Sequence, residues 1–318
     1  MIDILSATVP IFLIVAVGFV TTRLGMFGRA DMSVFSTYVI KIALPPLIFV
    51  NVAGRSLGEI LNPTYLLGYA VAAMAMAALG QLWGRLRRVS RTRAAMVSFA
   101  LSGTNNGFVG FPIFLLMLPQ VAGLAIGMDM LVDNTLIIPV ALILLESAAG
   151  RDERWSVRIR GITWRVVTHP LVIAIVAAVV VGAVGLRIPP MIFHAVELLA
   201  NSSSAVALFS IGGMLVGLRI GGGVADLAFS VLAKLLGMPA LAVGLAVGLP
   251  LLGLPPLAPQ LRAAFVLTCA LPSVTVLATL GEQFGEGDFG AATMMTSTVV
   301  SFFTITGWMV ALSAVGWL

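Results

Sequence analysis

The sequence predicts an all-α membrane protein of about ten transmembrane helices in two five-helix halves of inverted topology, with one broken helix in each half. Three observations predict it: an apolar composition, a one-sided distribution of Lys and Arg in the loops, and polar interruptions at matching places in the halves. Of 318 residues, 60% are hydrophobic and 10% charged, and the mean hydropathy is +1.10. Soluble domains carry about 25% charged residues, so this chain cannot cover itself with a water-exposed surface. Apolar runs of about 20 residues, enough to cross a bilayer, recur along its length.

The same composition excludes other classes. The net charge of +5 sits in short loops, where it orients helices rather than binding nucleic acid. The single cysteine, Cys269, excludes an intrachain disulfide and a Cys-based metal site. His169 and His194 are the only histidines, so no zinc centre is expected. No cofactor is expected beyond a coupling ion, H+ or Na+. Asp3 precedes the first apolar run, so residues 4–24 read as a retained helix rather than a leader peptide.

The expected spans are 4–24, 31–53, 63–84, 92–118, 121–147, 164–185, 190–217, 227–250, 259–282 and 288–317. Thirteen of the eighteen Lys and Arg fall in loops on one side, among them Arg85, Arg87, Arg88, Arg91 and Arg93 in one connection. Arg151, Arg154, Arg158, Arg160 and Arg165 crowd a second connection on that side, joined by Arg23, Arg29 and Arg219. Arg55, Arg187 and Arg262 fall opposite, while Lys41 and Lys234 lie inside spans. The basic side is expected to be cytoplasmic, with both termini outside. Residues 1–147 form the first half, 148–163 a cytoplasmic linker and 164–318 the second half. At one offset Pro10, Gly25 and Phe49 match Pro170, Gly185 and Phe209, and Arg93-Ala-Ala-Met-Val matches Arg262-Ala-Ala-Phe-Val further on. Five helices per half is an odd number, so the halves enter the membrane from opposite sides.

Span four contains LSGTNNGFVGFPIF, residues 101–114. Its glycines and Pro112 are costly in a continuous helix, and freed backbone at that depth survives only in protein or against a wet cavity. Two half-helices joined by a linker over 104–110 are expected. The related stretch in span nine is LTCALPSVTVLATL, residues 267–280, where Pro272 removes a donor and Ser273 and Thr275 supply hydroxyls. Alignment on Arg-Ala-Ala sets Thr104 opposite Ser273 and Asn106 opposite Thr275. Crossing half-helices would offer free N–H groups to a carboxylate, with the amides of Asn105 and Asn106 beside them. Two ordinary kinks, re-satisfied by neighbouring helices, are the plainer alternative.

The stretch Asn105-Asn106-Gly107-Phe108-Val109-Gly110-Phe111-Pro112 resembles the signature of the auxin efflux carrier family. That family includes plant PIN-type auxin carriers and bacterial permeases for malonate, malate and similar anions. The likeness extends over nearly the whole chain, including the Leu44-Pro45-Pro46 kink in span two. It implies the fold of the bile-acid sodium symporters, with spans 1, 2, 6 and 7 as a scaffold and spans 3–5 and 8–10 as a moving transport domain. It also implies a homodimer through the scaffold helices. Val274 and Thr275 stand where the plant pattern has an asparagine, which argues against auxin as substrate.

Ionisable residues inside spans are functional candidates. Lys41, just before the Leu-Pro-Pro kink, is expected to meet a second carboxylate of a substrate, to pair with a buried acid, or to snorkel. Asp129 and Asp133 lie at i,i+4 on one helix face, next to Asn134, where one acid holds a proton or shares a cation. A structural hydrogen bond from Asp133 is the competing reading. His194 and Glu197 are expected to form a buried pair, Lys234 to snorkel, and Gly213/Gly217 and Gly244/Gly248 to mark tight helix packing.

The functional expectation is a secondary active transporter, elevator-type by resemblance, that moves a small mono- or dicarboxylate across the cell inner membrane. The expected substrate residues are Thr104, Asn105, Asn106, Gly107, Pro272, Ser273, Thr275 and Lys41, and the coupling residues are Asp129, Asp133 and Asn134. A channel or membrane sensor is the alternative, followed by an intramembrane enzyme.

Overall fold

The computed structural model describes residues 2–52, 61–150, 164, 168, 170–184, 188–217 and 223–318, the side chains of 2–8, 29, 51, 52, 171 and 183 excepted. Most of the expected linker, Arg55, Arg187, Arg219, His169 and Gly185 lie outside the described residues. In chain order the helices are α1 (Ile2–Arg23), α2 (Arg29–Tyr38), α3 (Leu44–Val52), α4 (Pro63–Arg87), α5 (Arg91–Ser102), α6 (Phe111–Met117), α7 (Ala122–Val132) and α8 (Ile138–Ala148). They continue as α9 (Pro170–Val184), α10 (Pro190–Met214), α11 (Val224–Leu232), α12 (Met238–Leu251), α13 (Pro259–Ala270), α14 (Val276–Gln283) and α15 (Gly287–Ala314).

Among the described residues, six continuous helical stretches are long and apolar enough to cross a membrane: Ala30–Val50, Pro63–Arg87, Ala122–Ala148, Pro190–Met214, Val224–Leu251 and Gly287–Ala314. They coincide with expected spans two, three, five, seven, eight and ten. Spans four and nine are interrupted, as α5/α6 and α13/α14. The first span is the 22-residue α1, and the sixth is the 15-residue α9.

There are four π-helical turns among the described residues: π1 (Val39–Ala43), π2 (Asn106–Gly110), π3 (Asp133–Ile137) and π4 (Ala233–Gly237). π1, π3 and π4 join helices end to end, while π2 follows the break at 103–105 and leads into α6. Each ends two residues before a proline, respectively Pro45, Pro112, Pro139 and Pro239. Proline has no N–H, and its ring collides with the carbonyl four residues back. One extra residue in the turn relieves the collision. In π1, π3 and π4 the residue just before the proline donates its N–H five residues back, as Leu44 does to Val39, Ile138 to Asp133 and Met238 to Ala233.

The chain divides into two compact units, 1–62 with 106–130 and 165–217, and 63–105 with 131–164 and 218–318. The resemblance implies all of span four in one moving domain. Here its second half, with the start of span five, groups with spans one, two, six and seven. The break after α5 severs the helical hydrogen-bond ladder, so π2 and α6 are free to pack on α10 and α1.

In the first unit α1 and α10 cross at glycines: a Cβ on Gly18 would overlap the Phe209 carbonyl, and one on Gly212 the Val15 carbonyl. Phe27, Phe35 and Phe209 meet edge to face with centroids 5.4–5.6 Å apart. A Cβ on Gly213 would strike the Met32 sulfur, as small-residue packing requires. The His194–Glu197 pair forms at 3.6 Å, but its side chains are exposed within the unit rather than buried as expected.

In the second unit, Arg93 pairs with Glu286 at 2.6 Å and lies over the Phe289 ring. Trp83 stacks on Phe229 at 3.9 Å and donates to Asp226. The 88–90 and 284–286 connections and the start of α11 therefore share one end of the unit. At the other, Thr64 donates to the Pro255 carbonyl at 2.6 Å and Arg262 lies over Trp317. The Gly244/Gly248 expectation fails among the described residues, because a Cβ at either glycine meets nothing within 4 Å.

Candidate functional site

The two interruptions in the second unit are built alike. α5 and α13 are each 12 residues long, and each ends on an extended residue, Gly103 (φ −75°, ψ 136°) and Leu271 (φ −67°, ψ 153°). The strands that follow run antiparallel, with Thr104 bridged to Ser273. Asn105 donates its N–H to the Pro272 carbonyl at 2.9 Å, and Val274 donates to the Gly103 carbonyl at 3.3 Å. Backbone groups that leave a helix in an apolar interior need partners, and here each interruption supplies them to the other. The pairing needs a glycine at 103, since a Cβ there would sit 2.6 Å from Val274 Cγ1.

Thr104, Asn105 and Ser273 are buried at this crossing. Ser273 Oγ donates to the Ala100 carbonyl at 2.8 Å, one of the carbonyls left open at the end of α5. Its N–H donates to Ser297 Oγ at 3.2 Å. Ser273 can therefore accept from a ligand but has already spent its proton. Thr275 immediately precedes α14 and makes no side-chain capping bond to it, and its buried Oγ1 has no hydrogen-bond partner among the described residues.

Two charged residues reach the same unit from π turns. Asp133, first residue of π3, accepts from the Tyr69 hydroxyl at 2.8 Å. Asn134 follows it, half-buried. Lys234, on π4, is 0% exposed and donates from Nζ to Thr104 Oγ1 at 2.8 Å. The Met238 sulfur lies 3.0 Å from the same nitrogen. The snorkelling expected of Lys234 does not occur. Its ammonium is drawn inward to the crossing, where the C-terminal ends of two half-helices concentrate negative dipole. Pro239 leaves the Leu235 carbonyl without its helical donor, and Trp308 Nε1 takes that place at 3.0 Å.

The remaining expected residues belong to the first unit. Asn106 begins π2 and is buried, as is Gly107. A Cβ on Gly107 would lie 3.2 Å from Leu44 Cδ1 and 3.3 Å from Met130 Cε. Asp129 on α7 is 0% exposed. Lys41 sits in π1 with its side chain exposed in this unit. The structure thus gathers Thr104, Asn105, Pro272, Ser273, Thr275, Asp133 and Asn134 in one unit, and Asn106, Gly107, Asp129 and Lys41 in the other. Lys234 is the residue that sequence reasoning left out of the site, having expected it to snorkel. Its readable signal was a charged residue five positions before a proline, the pattern that also precedes Pro46.

Comparison with known proteins adds the lineage. The chain is 27% identical over 321 residues to a protein of Rhizobium meliloti (strain 1021) named "Putative malonate transporter", covering 96% of this chain and 95% of that one. It is 26% identical to "Uncharacterized transporter YfdV" of Escherichia coli (strain K12), covering 72% and 74%. It is 25% identical to an "Uncharacterized transporter" of Methanothermobacter thermautotrophicus, covering 96% and 98%. A family model described as "Membrane transport protein" matches residues 3–309. The chain therefore belongs to this membrane transport protein family, the auxin efflux carrier family whose signature residues 105–112 resemble.

Proposed function

We propose that the protein is a secondary active transporter of the alternating-access, elevator type, carrying a small mono- or dicarboxylate across the cell inner membrane. The observation that carries this reading is the antiparallel pairing of Thr104 with Ser273. It joins two half-helices of equal length that end in the same backbone conformation. That likeness supports a 5+5 inverted repeat with crossing broken helices, an architecture that places substrate at mid-membrane. In the second unit the carboxylate is held by the Thr104 and Thr275 hydroxyls and the Asn105 amide, with Pro272 and Ser273 shaping the facing strand, and in the first unit Asn106 and the backbone at Gly107 are the candidate contacts. Lys41 is available to the second carboxylate of a dicarboxylate. Malonate is the first candidate to test, because a relative similar over 96% of the chain bears its name.

Coupling to H+ or Na+ is assigned to Asp129, Asp133 and Asn134. The Tyr69–Asp133 bond fits a carboxylate held ready to release or take up a proton. Both termini lie outside the cytoplasm, and the protein works as a homodimer through its scaffold helices. No chemical conversion of the substrate is involved.

Uptake of labelled mono- and dicarboxylates into proteoliposomes tests the reading. Asn106→Ala is expected to lower uptake of the best substrate at least about tenfold, the loss of a buried hydrogen bond to a charged group. Unchanged uptake and binding in that variant would remove Asn106 from the site. Sodium and proton gradients imposed separately identify the coupling ion, and an Asp133→Asn variant as active as wild type, with neither gradient driving uptake, removes coupling.

A further inference from the structure

A fully buried ammonium at the crossing has no part in the assignment above. Lys234 is 0% exposed, and desolvating its charge is costly. A methionine has nearly the same length and carries no charge to desolvate, so the ammonium and its hydrogen bonds, that to Thr104 among them, are what the lysine adds at this position. The helix is adapted to deliver it. Pro239 widens the turn into π4, and Trp308 satisfies the carbonyl that the widening frees. π4 packs against both α5 and α13, the first half-helices of the two interrupted spans.

The contact with Thr104 converts this buried charge into a directed one. A hydroxyl has one proton and two lone pairs. With Lys234 Nζ on a lone pair of Oγ1 at 2.8 Å, the Thr104 proton must point elsewhere, and among the described residues no acceptor takes it. A hydroxyl polarised by an ammonium is a stronger donor than a neutral one. We propose that Lys234 is the positive charge by which the second unit recognises a carboxylate, acting as a positioning residue that holds and polarises Thr104 Oγ1. This rests on the organic-anion reading of the site. It assigns carboxylate recognition to a lysine inside the unit, and leaves Lys41 at most a second contact.

The test uses the full-length protein in liposomes, the best carboxylate from the uptake panel, and the neutral amide of that carboxylate as competitor. Lys234→Met is expected to raise KM for the carboxylate roughly 100-fold, as removal of a buried charge partner does, with little change in inhibition by the amide. Thr104→Val should raise KM roughly tenfold, and Thr104→Ser should recover most of that loss. A packing role for Lys234 would weaken carboxylate and amide together. The proposal is overturned if Lys234→Met leaves the carboxylate KM within about twofold of wild type, or weakens both ligands equally. Should Lys234→Met not fold, Thr104→Val decides: a wild-type KM in that variant overturns the proposal, and a raised KM recovered in Thr104→Ser supports it. Wild-type protein that neither binds nor moves any carboxylate overturns the anion reading itself, a failure visible before any variant is made.

Discussion

Lys41 and Lys234 occupy nearly the same local structure and very different surroundings. Both sit in π turns, π1 and π4, each of which ends two residues before a proline, Pro45 and Pro239. Lys41 is exposed in its unit, whereas Lys234 is 0% exposed and bonded to Thr104. The proline dictates the widened turn in each case, because the missing N–H and the ring collision are local. What the turn delivers its charge to is set by packing: π1 lies along α10, while π4 is enclosed by α5, α13 and α15.

The largest test of this contrast replaces each lysine by methionine in parallel. Lys234→Met should raise the carboxylate KM roughly 100-fold. Lys41→Met should raise it less than about tenfold, and only for dicarboxylates, as expected of a charge exposed in its unit. Equal effects on mono- and dicarboxylates at position 41 would erase the distinction between the two sites.

A smaller effect is expected from removing the cause of the turns. Pro239→Ala restores an N–H that competes with Trp308 for the Leu235 carbonyl and allows π4 to close to an α-turn. Each residue removed from a helical turn rotates what precedes it by about 100°, so Lys234 would swing away from Thr104. A KM increase of roughly tenfold is expected, the loss of one polarised donor. Pro45→Ala, which removes the collision behind π1, should do little to KM, because Lys41 is exposed in its unit. If Pro239→Ala transports like wild type, the π turn is not what aims Lys234.

These contrasts mark what was legible beforehand. The interruptions in spans four and nine were readable because Gly, Asn and Pro inside an apolar run are local signals, but the first lies at 103–105, and residues 106–110, expected as linker, form π2 instead. Aligning Arg93 with Arg262 made Thr104 and Ser273 equivalent positions of the two halves, and the structure bridges those two residues directly. The burial of Lys234 was not readable, since hydropathy reports a residue's depth and not which helix face is enclosed. Its place early in span eight suggested snorkelling for that reason. The same limit misjudged His194–Glu197, a correct i,i+3 pair on an exposed face, and Gly244/Gly248, where a Cβ would meet none of the described residues within 4 Å. The four π turns could have been found: in each, a polar residue stands five or six positions before a proline.

The smallest effect belongs to Trp308, whose indole N–H replaces the donor that Pro239 lacks. Trp308→Phe keeps the ring and removes the hydrogen, leaving the Leu235 carbonyl without its donor from α15. A buried acceptor so exposed costs about 1–3 kcal/mol, to be read as a lower Tm of the purified protein with carboxylate KM raised only a few-fold. In Pro239→Ala the new backbone N–H can serve Leu235 instead, so adding Trp308→Phe to it should cost less stability than Trp308→Phe alone. Additive losses in the double variant would mean that Trp308 stabilises α15 through its ring, and that the carbonyl freed by Pro239 is satisfied by some other group.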